Sequence, residues 1–171
     1  MDIVAEVGDI LRPNAESLVI PANTYGVLTD KIAKKVLVQA GDGLANETKA
    51  FAQTYKNSIE IGSCFSTQSH KMRRRGLKRI FHAVTTNYPG GIATLDAVNK
   101  SVRAAFIQIT EQGWKSVTIA ALGTGSGRLD PQSVAGIIVP IAKEYCGSVK
   151  VRILDENKEF IDAVNALLKK D

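Results

Sequence analysis

The stretch Val117-Thr118-Ile119-Ala120-Ala121-Leu122-Gly123-Thr124-Gly125-Ser126-Gly127-Arg128-Leu129-Asp130-Pro131 leaves few folds open to this chain. An apolar run of strand length passes into three glycines at alternate positions, and an Asp-Pro pair then opens a helix. Asp is a good N-cap and proline is tolerated in a first helical turn. A strand that turns through glycines into a helix belongs to α/β architectures, where ligands collect at strand ends. Glycines there permit close backbone approach, consecutive N–H groups can form an anion-binding nest, and a helix N-terminus adds a favourable dipole. Thr124 and Ser126 add hydroxyls. The competing reading is a tight connection that binds nothing. Five small residues in succession, Gly123 to Gly127, favour a phosphate or diphosphate. No Gly-Lys-Ser/Thr follows, so this is not a P-loop, and the glycine spacing is not that of a GxGxxG fingerprint.

The rest of the chain repeats the alternation. Strands are expected at 3–7, 17–21, 58–65, 78–84, 116–122 and 148–154. Val134, Ile137, Ile138, Ile141, Ala142 and Tyr145 share one helical face. A second stripe is Val98, Val102, Ala105, Phe106 and Ile109, opened by Thr94 and closed near Gly113. Further stripes start at Ala33, Leu44 and Phe160. With 171 residues and 44% apolar content, one α/β domain over 1–171 with a real core is expected. No apolar run reaches membrane-spanning length and the start lacks a signal-peptide pattern, which predicts a cytoplasmic protein. Cys64 and Cys146 share no CxxC spacing and only two histidines are present, so reduced thiols, no metal site and no cofactor are expected. The net charge of +5 favours anionic partners.

Two polar residues flank the early strands. Asp9 follows Val7-Gly8, and Asn23 ends Val19-Ile20-Pro21-Ala22. An aspartate at a strand exit can accept from an exocyclic amine, and an asparagine can both donate to and accept from ribose hydroxyls. Taken singly, each fits an Asx turn better than a ligand contact, because Asp and Asn dominate turns.

Together these residues resemble the macro domain, a family of ADP-ribose-binding modules. The resemblance runs from Val7-Gly8-Asp9-Ile10 through Val19-Ile20-Pro21-Ala22-Asn23 and Arg79-Ile80-Phe81-His82-Ala83-Val84 to the Gly123–Gly127 loop. It implies a three-layer α/β/α fold with a mixed, mainly parallel sheet of six or seven strands. It also implies an ADP-ribose ligand, or a related nucleotide diphosphate. By position, Asp9 matches the acidic residue that takes the adenine amine, and Ile10 its backbone neighbour. Asn23 lies where the family holds the distal ribose, and Gly123, Thr124, Gly125, Ser126 and Gly127 lie where it wraps the diphosphate.

The chain departs from the pattern at several points. Ile20 replaces the first asparagine of the early strand. In the first loop only Gly26 remains, and Thr29-Asp30-Lys31 stand where glycines are usual. Side chains there would fill the diphosphate channel, with Asp30 repelling phosphate and Lys31 compensating. Leu154 stands where some members stack an aromatic on adenine, and Gly127 is nearest to the aromatic of the second loop. Some members hydrolyse ADP-ribose esters with help from the first loop, for which Asp30 is the one acidic candidate. A valine at Gly125 is expected to abolish binding, by forbidding the backbone angles or by filling the anion's space.

A third function comes from Lys71, Arg73, Arg74, Arg75, Lys78 and Arg79, an exposed basic connection able to neutralise nucleic-acid phosphates. Interleaved aromatics for base stacking are absent. The alternative is a solvated loop or a charged guard on a sheet edge. His82, inside an apolar strand, reads as a hydrogen-bonded core residue, and His70 as exposed.

Overall fold

The computed structural model describes residues 2–125 and 127–170. A six-stranded sheet is built from β1 (Ile3–Val7), β2 (Ser17–Asn23), β3 (Cys64–Gln68), β4 (Arg79–Thr86), β5 (Ser116–Ile119) and β6 (Lys150–Asp155). The strand order is β1-β6-β5-β2-β4-β3. Every pairing is parallel except that of β3 with β4. The sheet is therefore mixed and mainly parallel.

Five helices cover it: α1 (Lys31–Ala40), α2 (Asp42–Thr54), α3 (Leu95–Glu111), α4 (Pro131–Tyr145) and α5 (Lys158–Leu168). Alternation along the central strands sorts their side chains to opposite faces. Val19 and Phe81 join one core with Val102 and Phe106 of α3, Ile138 of α4 and Phe160 of α5. Leu18, Ile20 and Ile80 join the other with Val36 of α1, Leu44 of α2, Met72 and Leu77. With apolar cores on both faces, the central strands read as near-continuous apolar runs. Asp30, Thr94, Asp130 and Asn157 each cap a helix through a side-chain oxygen.

Two expected strands are corrected. The run 58–65 enters the regular ladder with β4 only at Cys64, although Gly62 N donates to Val84 O and Val84 N to Ser63 O just before it. Before it the backbone turns at Gly62, with φ +83°, and Ile59 donates to Thr24 rather than to a strand neighbour. Ile59 and Ile61 are apolar because they pack over Phe65 and Val84. The run 116–122 leaves the sheet after Ile119, because the Ala121 amide turns to the Asp155 carboxylate at 3.0 Å.

His82 is fully buried in β4. Its Nε2 lies 2.9 Å from Thr67 Oγ1 and its ring stacks on Phe65 at 4.6 Å. Burial, with the charge of Arg79 adding to it, lowers its pKa to about 3, so it is a neutral core residue at ordinary pH. Both cysteines are free thiols, and burial pushes that of Cys64 up. No described helix is long and apolar enough to cross a membrane. No cluster of described His, Cys, Asp or Glu residues could hold a metal.

Candidate functional site

The carboxyl ends of β1, β5 and β6 open onto a cavity of about 340 Å³. Gly8 and Ile10 follow β1 there, Ala121, Thr124 and Gly125 follow β5, and Asp155, Glu156 and Asn157 end or follow β6. The opposite wall is the first turn of α1, with Asp30, Lys31, Ile32 and Lys35. Strands of a parallel sheet all end on one side, so segments far apart in sequence meet here.

Two helix N-termini face the cavity. Asp30 caps α1 by accepting from Ile32 N at 2.9 Å, and Asn157 caps α5 by accepting from Phe160 N at 3.3 Å. Their dipoles favour an anion. The carboxylates are engaged. Asp155 accepts from Ala121 N at 3.0 Å and from Asn157 N at 2.8 Å. Glu156 accepts from Lys35 Nζ at 2.8 Å. That hydrogen bond, with Asp9 and Asp155 nearby, holds the Lys35 ammonium above its ordinary pKa. Lys31, one turn earlier, presents a second cation on the same helical face.

The glycine loop divides its labour. Gly123 has φ +80°, and an added Cβ would stand 2.8 Å from Leu129 Cδ1. A Cβ on Gly127 would stand 2.6 Å from the Gly123 carbonyl oxygen and 2.9 Å from Ala93 Cβ. These two glycines close the loop on itself, tied by Leu129 N to Gly123 O at 2.8 Å and Arg128 N to Gly125 O at 3.1 Å. Gly125 differs. Its φ is not positive, and a Cβ there would meet only Asp30 Oδ2 at 3.9 Å. The expected conflict with backbone angles is therefore absent, and only the filling of cavity space remains. Thr124 donates its hydroxyl to Ala121 O at 3.1 Å. Ser126 lies outside the described residues.

The first loop narrows what lies beyond. Asn23 is buried, donates to Val27 O at 2.7 Å and accepts from Tyr25 N at 3.0 Å, so it holds the loop's shape. Between Asn23, Thr29 and Asp30 on one side and Gly123 and Gly127 on the other, about 20 Å³ is open, room for a single water. Gly26, with φ +66°, packs on α2, where a Cβ would stand 2.7 Å from Thr48 O. It shapes the loop from behind instead of lining the cavity.

Asp9 forms an Asx turn through Leu11 N at 2.9 Å, between the lining residues Gly8 and Ile10. Leu154 is buried behind Gly8 and offers the cavity no face. Lys35, Asp155, Glu156 and Asn157 were not singled out in the sequence. Three polar residues at and after the last apolar strand were the available signal. The basic stretch lies outside the cavity, in a 3-10 turn over His70–Arg75 and the start of β4. Lys71, Arg73 and Arg74 are exposed. Arg75 donates to Leu11 O and Gln39 Oε1, Lys78 pairs with Glu16, and Arg79 donates to Ser66 Oγ.

Comparison with known proteins agrees with this fold. An uncharacterised Aquifex aeolicus protein is 26% identical over 170 residues, covering 98% of each chain. The macrodomain of Mycobacterium tuberculosis DarG superposes with a TM-score of 0.80 at 22% identity, over 91% of this chain and 98% of that one. A Trypanosoma brucei macrodomain in complex with ADP-ribose superposes with a TM-score of 0.81 at 16% identity, over 98% of this chain and 69% of that one. Residues 19–138 match the family described as Macro domain, and this chain belongs to that family.

Proposed function

We propose that the chain is a binding module for ADP-ribose or a related nucleotide diphosphate. The observation that carries this is the 340 Å³ cavity on which the N-termini of α1 and α5 and the Thr124–Gly125 backbone converge. Adenine sits between Gly8–Ile10 and Asn157, with Asp9 at its edge. The diphosphate lies against Lys31 and Gly125, where helix dipole and ammonium offset its charge. The terminal ribose stops at the mouth of the channel toward Asn23, which Thr29 and its neighbours narrow to the room of one water. The ADP-ribose complex of the Trypanosoma brucei relative supports the ligand class.

Calorimetry with ADP-ribose, ADP and AMP tests this reading. ADP-ribose should bind. Gly125→Val should weaken it by tenfold to a hundredfold, about 1.4–2.8 kcal/mol, with an unchanged melting temperature. Thr29→Gly should favour ADP-ribose over ADP by widening the channel. Absence of binding by all three nucleotides, to both the wild type and Thr29→Gly, would refute the nucleotide reading.

A further inference from the structure

We propose that a second surface, formed by Arg12, Lys71, Arg73, Arg74 and Arg75, holds the phosphate backbone of a duplex nucleic acid. Sequence proximity alone gathers the 71–75 residues; the fold adds Arg12 from the loop between β1 and β2. Arg12 and Arg75 line one depression of about 450 Å³ together with Leu11, Pro13 and Asn14.

The charges of this surface are available. Of the neighbouring carboxylates, Glu47 is hydrogen-bonded to the His70 ring and to Gln68 N, and Glu16 pairs with Lys78. Among the described residues no ion pair engages Arg12, Lys71, Arg73, Arg74 or Arg75. Asp42, beside the Gly41 that the Lys71 stem lies against, and Asp9, whose carbonyl accepts from Arg12 N, are exposed acidic groups near this surface. Arg75 donates to two neutral acceptors, Leu11 O at 3.1 Å and Gln39 Oε1 at 3.0 Å. Its guanidinium is thus positioned without losing charge. Met72, buried beneath the turn, anchors the exposed cations around it to the α1 side of the core.

Phosphate-backbone binding follows from what the surface lacks. The 9–16 loop and the 69–79 segment contain no Phe, Tyr or Trp, and the His70 ring is half-buried and held by Glu47 at 2.7 Å, so a single strand would find no stacking platform. A duplex needs none, because its regular phosphates are met by cations alone. The surface is separate from the nucleotide cavity. Lys31 lines the cavity and Gln39 touches Arg75, about 12 Å apart along α1 at 1.5 Å per residue.

The test is fluorescence anisotropy of a labelled DNA duplex across roughly 50 to 200 mM KCl, with polyglutamate and phosphatidylserine vesicles as competing anions. Five phosphate contacts predict a slope of log K against log salt of about −4.5. The variant Arg12→Gln/Arg73→Gln/Arg74→Gln should reduce it to about −2 and weaken binding at least tenfold. Its melting temperature and ADP-ribose binding should be unchanged, which separates this surface from the nucleotide reading. No complex at low salt, or a slope unaltered in the variant, would overturn the proposal. Preferential binding of polyglutamate or vesicles would overturn it in favour of an acidic protein or a membrane.

Discussion

Gly127→Val is expected to lower the melting temperature by about 6–12 °C. The ideal Cβ lies 2.6 Å from Gly123 O, 2.9 Å from Gly123 Cα and 2.9 Å from Ala93 Cβ. Two of the three obstacles are backbone, which cannot rotate away as a side-chain tip can. Relief must come from opening the loop, which stretches Leu129 N to Gly123 O and Ala93 N to Gly127 O. Overpacking of this kind costs about 3 kcal/mol, and in a chain of this length each kcal/mol moves the midpoint about 2–4 °C. Because the loop also forms the cavity wall at Gly125, ligand binding should fall with stability. Thermal denaturation of Gly127→Val beside Gly125→Val reads the contrast. A Gly127→Val midpoint within about 2 °C of the wild type would show that the loop is not closed as described.

Mild acid should destabilise the protein through His82. Its folded pKa, about 3, lies below the ordinary value of 6.5. The unfolded chain therefore takes up the proton first, and the stabilising term is fully present above pH 6.5 and lost as pH falls toward 3. At about 1.4 kcal/mol per unit, the loss between pH 6.5 and 4.5 is on the order of 2 kcal/mol. Carboxylates titrate over the same range, so the comparison needs a variant. His82→Gln keeps a polar partner for Thr67 but has nothing to protonate. Urea denaturation at both pH values should show the wild type losing about 2 kcal/mol more than His82→Gln. Equal losses would mean that His82 is protonated at little cost in the folded state.

The helices were legible in the sequence because amphipathic stripes and caps are local. Asp130-Pro131 and Thr94 act as their residue types predict. The parallel strands were legible as apolar runs, but their ends were not. Ala121 and Leu122 continue the apolar run of Ile119, yet a carboxylate 34 residues away takes the Ala121 amide. The run 58–65 misled because apolar turn residues pack over a core just as strand residues do. At the site, the glycine loop was legible, whereas the separate duties of its glycines were not. Gly123 and Gly127 are required by contacts with Leu129 and Ala93, and Gly125 by the cavity it borders. Lys35 and Glu156 pair across 121 residues, a distance no local pattern spans. Gly26, matched to a ligand loop by position, faces α2 because its neighbours turn at Asn23.

The central claim is that the cavity between β1, β5, β6 and α1 receives the nucleotide. Backbone amide NMR during titration of the labelled wild-type chain with ADP-ribose tests it most directly. Saturable shifts should concentrate at Gly8, Ile10, Lys31, Ala121, Gly125 and Asn157, which line the cavity. Those of Lys71, Arg73 and Arg74 should stay in place. Shifts confined to the 70–79 segment, or no saturable shift at all, would contradict the account.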